Sequence, residues 1–174
     1  MTTAQCVMQE QVERSMRGWL WLSLVVLVAD LYTKYLASSM LTYAESVAVM
    51  PSFNLTLLHN TGAAFSFLAG AGGWQRWFFA ILAIGVSIAL TRWLFVLKND
   101  RWLAAAIALV LGGAVGNLYD RITLGYVVDF LHFYWRDYHF PAFNIADTAI
   151  SIGAGMMVID LFRHKEEPPP ASET

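Results

Sequence analysis

The chain is short of charge. Asp, Glu, Lys and Arg make up 14% of its 174 residues, against about a quarter in a soluble domain. Hydrophobic residues reach 57% and the mean hydropathy is +0.51. Such a deficit excludes an ordinary soluble domain and points to an integral membrane protein. Cysteine is almost missing as well. Cys6 stands alone in a polar segment, which excludes an internal disulfide. The net charge of -2 excludes a global basic field, so no nucleic-acid partner is expected. An internal repeat is also lacking, although small carriers usually show one.

Four apolar runs occupy most of the chain. They cover 18–37, 77–97, 102–118 and 145–162. A helix of about 20 residues rises about 30 Å, enough to span a bilayer. The first run could be read as a signal peptide, since Arg14 and Arg17 precede it, but cleavage would then have to follow Asp30 and Lys34. Residues 1–17 read as a tail or short surface helix, and the C-terminal EEPPP tail as solvated chain. Segment 38–73 is too irregular to span. Its PSFNLTLL stretch (51–58) partly alternates apolar and polar residues, a strand pattern, and Asn60-Thr61-Gly62 follows with turn chemistry. AAFSFLAG and a glycine hinge at Gly70, Gly72 and Gly73 complete it. A small β structure on the membrane surface is expected there, with an outer loop over 119–144.

Lysine and arginine give the orientation. With both ends inside, the inner side carries Arg14, Arg17, Arg92, Lys98, Arg101, Arg163 and Lys165. The outer side has Lys34, Arg76, Arg121 and Arg136. The excess favours both termini in the cytoplasm. Segments 38–73 and 119–144 then share the outer face.

Polar residues in apolar company mark the candidate site, because intramembrane carboxylates are costly and usually functional. Asp129 sits in VVDFL and Asp147 in FNIADTAI. Brought together by the fold, two carboxylates cannot both ionise easily. One keeps a proton while the other serves as base, which suits water attack on an amide. Each could instead cap a helix or pair with arginine. Asp120 and Arg121 read as a structural ion pair, and Asp137 as a solvated loop acid. Asp30 and Lys34 stand i, i+4 on one helix face, as an ion pair does. Asn117 and Asn144 flank two spans and could order a carboxylate or cap a helix. A rival grouping of His132 and His139 with Asp129 and Asp147 suggests a metal site. The aromatic FLHFYWRDYHF around those histidines reads better as an amphipathic segment at the interface. Gly112 and Gly116, and Ala149 and Gly153, form small-xxx-small patterns. Packing of the third and fourth spans on them would bring Asn117 near Asp147.

Five motifs in order carry a family resemblance. They are Asp30-x-x-x-Lys34, HNTGAAFSFL (59–68), GNLYDR (116–121), VVDF (127–130) and FNIAD (143–147). Together they resemble lipoprotein signal peptidase, also called signal peptidase II. The resemblance implies an intramembrane aspartic protease of the bacterial cytoplasmic (inner) membrane, needing no metal or other cofactor. Such an enzyme removes the signal peptide of prolipoproteins just before a diacylglyceryl-modified cysteine. It implies Asp129 and Asp147 as the catalytic pair. Asp30, Lys34, Asn60, Gly62, Gly116, Asn117, Arg121, Asn144 and Ala146 would be supporting or substrate-binding residues. The implied fold is mostly α, a single membrane domain of four spanning helices. A small β-cradle on the outer face would fit 38–73, and a short amphipathic outer-loop helix would fit 131–140. The site is expected near the outer face, facing membrane lipid, in a monomer. A small proton-coupled membrane carrier using the same acids, and a purely structural membrane subunit, are the alternatives.

Overall fold

The computed structural model describes residues 15–62 and 73–163. The expectations for the two tails, for AAFSFLAG and for Gly70 and Gly72 lie outside these residues. Among the described residues there are four long helices: α1 (Leu20–Met40), α2 (Trp74–Val96), α3 (Arg101–Thr123) and α4 (Ile145–Arg163). Each is long and apolar enough to cross a membrane. One 3-10 turn, Arg17–Trp19, leads into α1. Four strands complete the chain: β1 (Ser46–Met50), β2 (Phe53–Asn60), β3 (Val127–Trp135) and β4 (Tyr138–His139).

α3 is the central helix, and α1, α2 and α4 all pack on it. Its sequence explains this. Ala104, Ala106, Ala108 and Ala114 are buried along with Gly112, Gly113 and Gly116, and small side chains let helix backbones approach in lipid. Asp100 starts α3 by accepting the Leu103 N–H at 2.9 Å, an N-cap. The outward faces carry the bulk: Trp21, Tyr35, Ile81, Val96, Leu161 and Phe162 stay exposed. A belt of large apolar side chains around a core of small ones suits a bilayer, where burying apolar surface between helices gains little.

The glycines divide their work differently from the sequence pattern. A Cβ on Gly112 would lie 2.7 Å from Ser23 O, so this residue admits α1. On Gly153 it would lie 2.6 Å from Ala106 O, at the α3–α4 contact. Gly112 and Gly116 are thus not one stripe against α4. The expected outcome of that packing does hold: Asn117 Nδ2 donates to Asp147 Oδ1 at 2.7 Å.

α3 runs five residues beyond the expected end at 118 and carries Asp120 and Arg121 on its last turns. Arg76 closes it by donating to Arg121 O at 2.6 Å and Ile122 O at 2.8 Å. Those carbonyls otherwise lack helical partners.

The strands form one antiparallel sheet in the order β1-β2-β3-β4. Leu58 pairs with Asp129 and Asn60 with Val127. Ala37, Leu57, Val128 and Phe130 make a small core between the sheet and the end of α1. The expected β structure in 38–73 is therefore present as β1 and β2. The expected amphipathic helix over 131–140 is not. That segment is the β3–β4 hairpin, turning at Arg136 with φ 54°. β-branched and aromatic residues favour strands, and β2 needs a partner for its backbone groups. Phe53 and Phe133, paired across β2 and β3, hold that register with ring centroids 4.7 Å apart.

Gly153→Val is expected to lower stability by about 1–3 kcal/mol through overpacking at Ala106. Gly155→Ala, with open space around it, is expected to leave stability unchanged. Thermal unfolding of both variants in detergent checks this.

Candidate active site

The site is assembled where α4 begins. Asn144 is its N-cap, and its Oδ1 accepts the Asp147 N–H at 2.9 Å. Asp147 is therefore fixed in the first turn, where a carboxylate meets the positive end of the helix. The amide just before it, Ala146 N–H, donates to Asp30 Oδ1 at 2.8 Å. Asn144 also reaches the other way. Its Nδ2 donates to Asp129 Oδ1 at 2.7 Å. One buried side chain therefore holds the backbone of one aspartate and the carboxylate of the other.

Asp129 projects from β3 and is 3% exposed. Its second oxygen accepts from Asn60 Nδ2 at 3.0 Å, and the Asn60 amide is oriented by Gly62 N–H at 3.0 Å. Burial, and then the neighbouring Asp147 charge, push the Asp129 pKa up to about 7. The amide donors and Lys34 oppose this rise without cancelling it.

Beneath the two aspartates lies a buried charge cluster. Lys34 Nζ meets Asp30 Oδ2 at 2.7 Å, Asp120 Oδ2 at 3.0 Å and Asn117 Oδ1 at 3.0 Å. An ammonium has three N–H donors, and all three are used. Because Asn117 gives its oxygen to Lys34, its nitrogen faces Asp147. Gly116 makes room for the cluster, since a Cβ there would lie 2.5 Å from Asp30 Oδ2. Arg121 donates to Asn117 O at 3.2 Å and Gly62 O at 3.5 Å, and lies over the Phe79 ring. It ties the loop after β2 to α3.

The eleven residues implied by the resemblance fall in this one network. Some partners differ from expectation. Asp120 does not pair with Arg121. Neighbours on a helix point about 100° apart, so Asp120 turns inward to Lys34 and accepts Val128 N–H at 3.1 Å. The metal grouping comes apart, because Asp129 and His132 are three residues apart on a strand and face opposite ways. His132 bonds Thr56 and His139, each at 3.1 Å. Arg76 had only been counted as an outer-side charge. The His59–Tyr126 stack, with centroids 4.0 Å apart, went unnoticed. Nothing in the spacing of either pair signals contact.

A cavity of about 730 Å³ opens onto the two aspartates. Tyr43, His59, Asn60 and Thr61 line one side, Phe140 and Phe143 another, and Thr148, Ser151 and Ile152 of α4 the third. Of the α4 residues that line it, Ser151 and Ile152 are exposed.

Comparison with known proteins identifies the family. The family profile described as Signal peptidase (SPase) II matches residues 22–163. The chain belongs to the signal peptidase II family. A lipoprotein signal peptidase of Pseudomonas putida is 54% identical over 159 residues, covering 90% of this chain and 93% of that protein. One from Acinetobacter baylyi is 58% identical over 145 residues, covering 83% and 81%. A bacterial membrane enzyme solved by the in meso method superposes with a TM-score of 0.80 at 31% identity, covering 90% and 94% of the two chains. A second such structure gives 0.72 at 34% identity, covering 83% and 92%. Signal peptidase II membership makes this chain a multi-pass inner-membrane protease acting on prolipoproteins. It replaces the carrier and the structural subunit considered from the sequence.

Lys34→Met is expected to destabilise the peptidase by about 3–5 kcal/mol, because it leaves buried carboxylates without their cation. Thermal unfolding in detergent measures it. Adding Asp30→Asn and Asp120→Asn to Lys34→Met is expected to recover part of the loss.

Proposed function

We propose that Asp129 and Asp147 are the acid–base pair of an aspartic endopeptidase. The observation that carries this reading is the Asn144 bridge, which accepts from Asp147 N–H and donates to Asp129. Asp129, buried and with its pKa near 7, holds the proton at rest. Asp147, less buried and bonded by Asn117, is the ionised base. Asp147 takes a proton from water as the water oxygen attacks the scissile carbonyl carbon. Asp129 gives its proton to the carbonyl oxygen. The resulting diol then collapses: one of its hydroxyls returns a proton to Asp129, the C–N bond breaks, and the amine leaves with the proton held by Asp147. Water is the nucleophile, so no serine or cysteine is required.

The substrate is a prolipoprotein whose cysteine carries diacylglycerol, cut just before that cysteine. The cavity suits it: a polar end at the aspartates, and an apolar exit along α4 where acyl chains can stay in lipid. Both termini lie in the cytoplasm and the aspartates near the outer face, in keeping with the lysine and arginine distribution. The enzyme acts as a monomer, since one chain supplies both aspartates and all their partners. Asn60, Asn117, Asn144 and Arg121 hold the pair and its loops, with Asp30, Lys34, Gly62, Gly116 and Ala146 supporting them.

Asp129→Asn and Asp147→Asn should each cut cleavage of a diacylglyceryl prolipoprotein by about 10²–10⁴-fold, read as the mobility shift of the product, while a chelator leaves the wild-type rate unchanged. Retention of the wild-type rate in either variant would sink the pair.

The pH dependence has a definite sign. Asp129 loses its proton as pH rises through about 7, so kcat/KM should fall on the alkaline side of that point. Its folded pKa lies above the ordinary carboxylate value of about 4. Between the two, the unfolded chain ionises this carboxyl while the folded state keeps it protonated, so stability also falls as pH rises through that window. A rate that keeps climbing between pH 7 and 9 would overturn the assignment of Asp129 as the acid.

A further inference from the structure

The backbone of β2 is covered unevenly on the side away from β3. β1 pairs with it from Phe53 to Thr56. Tyr43 bridges Leu57, and Ala44 N–H donates to Leu57 O at 2.9 Å. Among the described residues, nothing pairs with β2 on that side beyond Leu57. The far edge of β3 is closed by contrast. Val128 N–H donates to Asp120 and Val128 O accepts from Asn144 Nδ2 at 3.2 Å. Phe143 bonds Leu131 in both directions.

The partners of Val128 fix the phase of the ladder. Val128 faces His59 in the β2–β3 register, yet its N–H and C=O both point away from β2. His59 and Val128 are therefore a non-hydrogen-bonded pair, and such pairs alternate with bonded ones. In that phase the N–H and C=O of His59 point away from β3, out of the open edge. An unpaired strand edge is ordinarily covered or blunted. Among the described residues this one is neither, and it ends beside Asn60, which holds Asp129 at 3.0 Å.

We propose that the extended peptide of the substrate adds as a strand to this edge of β2, pairing with the backbone N–H and C=O of His59. This rests on the function proposed above. Strand addition takes affinity from main-chain hydrogen bonds and leaves alternate side chains to the pockets. The edge is set in place before substrate arrives. The His59 ring is stacked on Tyr126 at 4.0 Å and packed on Tyr43 at 4.8 Å between centroids, so little ordering remains to be done on binding. The cavity runs from His59 past Asn60 to Asp129 and Asp147. A strand seated on His59 carries its following residues to the two carboxylates.

The test uses the full-length enzyme in detergent and a synthetic diacylglyceryl lipopeptide. Each amide except the scissile one is replaced in turn by an ester, which removes one N–H. Strand addition predicts that KM rises about three- to tenfold, the worth of one hydrogen bond, at a position that pairs with His59. Adjacent positions should change little, so the effect is confined to that one position. Equal effects at all positions, or at none, would overturn it. His59→Ala keeps the backbone groups and is expected to keep the same position pattern. Disappearance of the pattern in that variant would assign recognition to the imidazole and overturn the backbone reading. Failure to cleave the unmodified lipopeptide would overturn the proposed function and this inference together, whereas cleavage without a pattern overturns the inference alone.

Discussion

A single ammonium nitrogen, Lys34 Nζ, holds together two helices that are far apart in sequence. It meets Asp30 on its own helix and Asp120 and Asn117 on α3. Two carboxylates against one cation leave a formal negative charge in a buried place. Backbone N–H groups answer it, from Ala146 at the start of α4 and from Val128 on β3. α1, α3, α4 and the sheet thus converge on one polar knot in an otherwise apolar bundle. Removing a partner from such a knot is far more damaging than the net worth of the pair suggests. The arrangement fixes geometry more than it adds stability, and what it fixes is the platform beneath Asp129 and Asp147.

Much of this was legible in the sequence, for a physical reason. Polar groups in an apolar run must be satisfied by one another, so Asp30, Lys34, Asn117, Asp129, Asn144 and Asp147 could be picked out as a set. Helices were legible from their length and lack of charge. The sequence reading failed where the outcome depends on direction. Asp120 beside Arg121 looks like an ion pair in a linear string, but a helix sends the two to different neighbours. The 131–140 segment was mistaken for a helix because aromatic richness does not distinguish an interfacial helix from a strand. Pairing with β2 decided it, and that pairing is a long-range property. The resemblance named residues that the fold brings together in one network. It did not show that Gly116 serves by admitting the Asp30 carboxylate, or that Gly112 faces α1.

The sheet and the bundle meet the solvent differently. The bundle turns large apolar residues outward, while the sheet carries a polar chain from Ser46 through Thr56 and His132 to His139. The aspartates lie where these two environments meet. There a carboxylate can be buried deeply enough to keep its proton near neutral pH, and water can still reach its neighbour. A site deeper in the bundle would lack the water, and one on the sheet's polar face would lack the burial.

The Asn144 bridge has a mechanical meaning. Because the same amide grips the Asp147 backbone and the Asp129 carboxylate, a small tilt of α4 drags both acids in the same direction. Their separation is then buffered against the bending and thickness fluctuations of the surrounding bilayer. A protein embedded in a deformable medium gains from having two carboxyl groups slung from one rigid amide plane, so that the membrane can flex without pulling them apart.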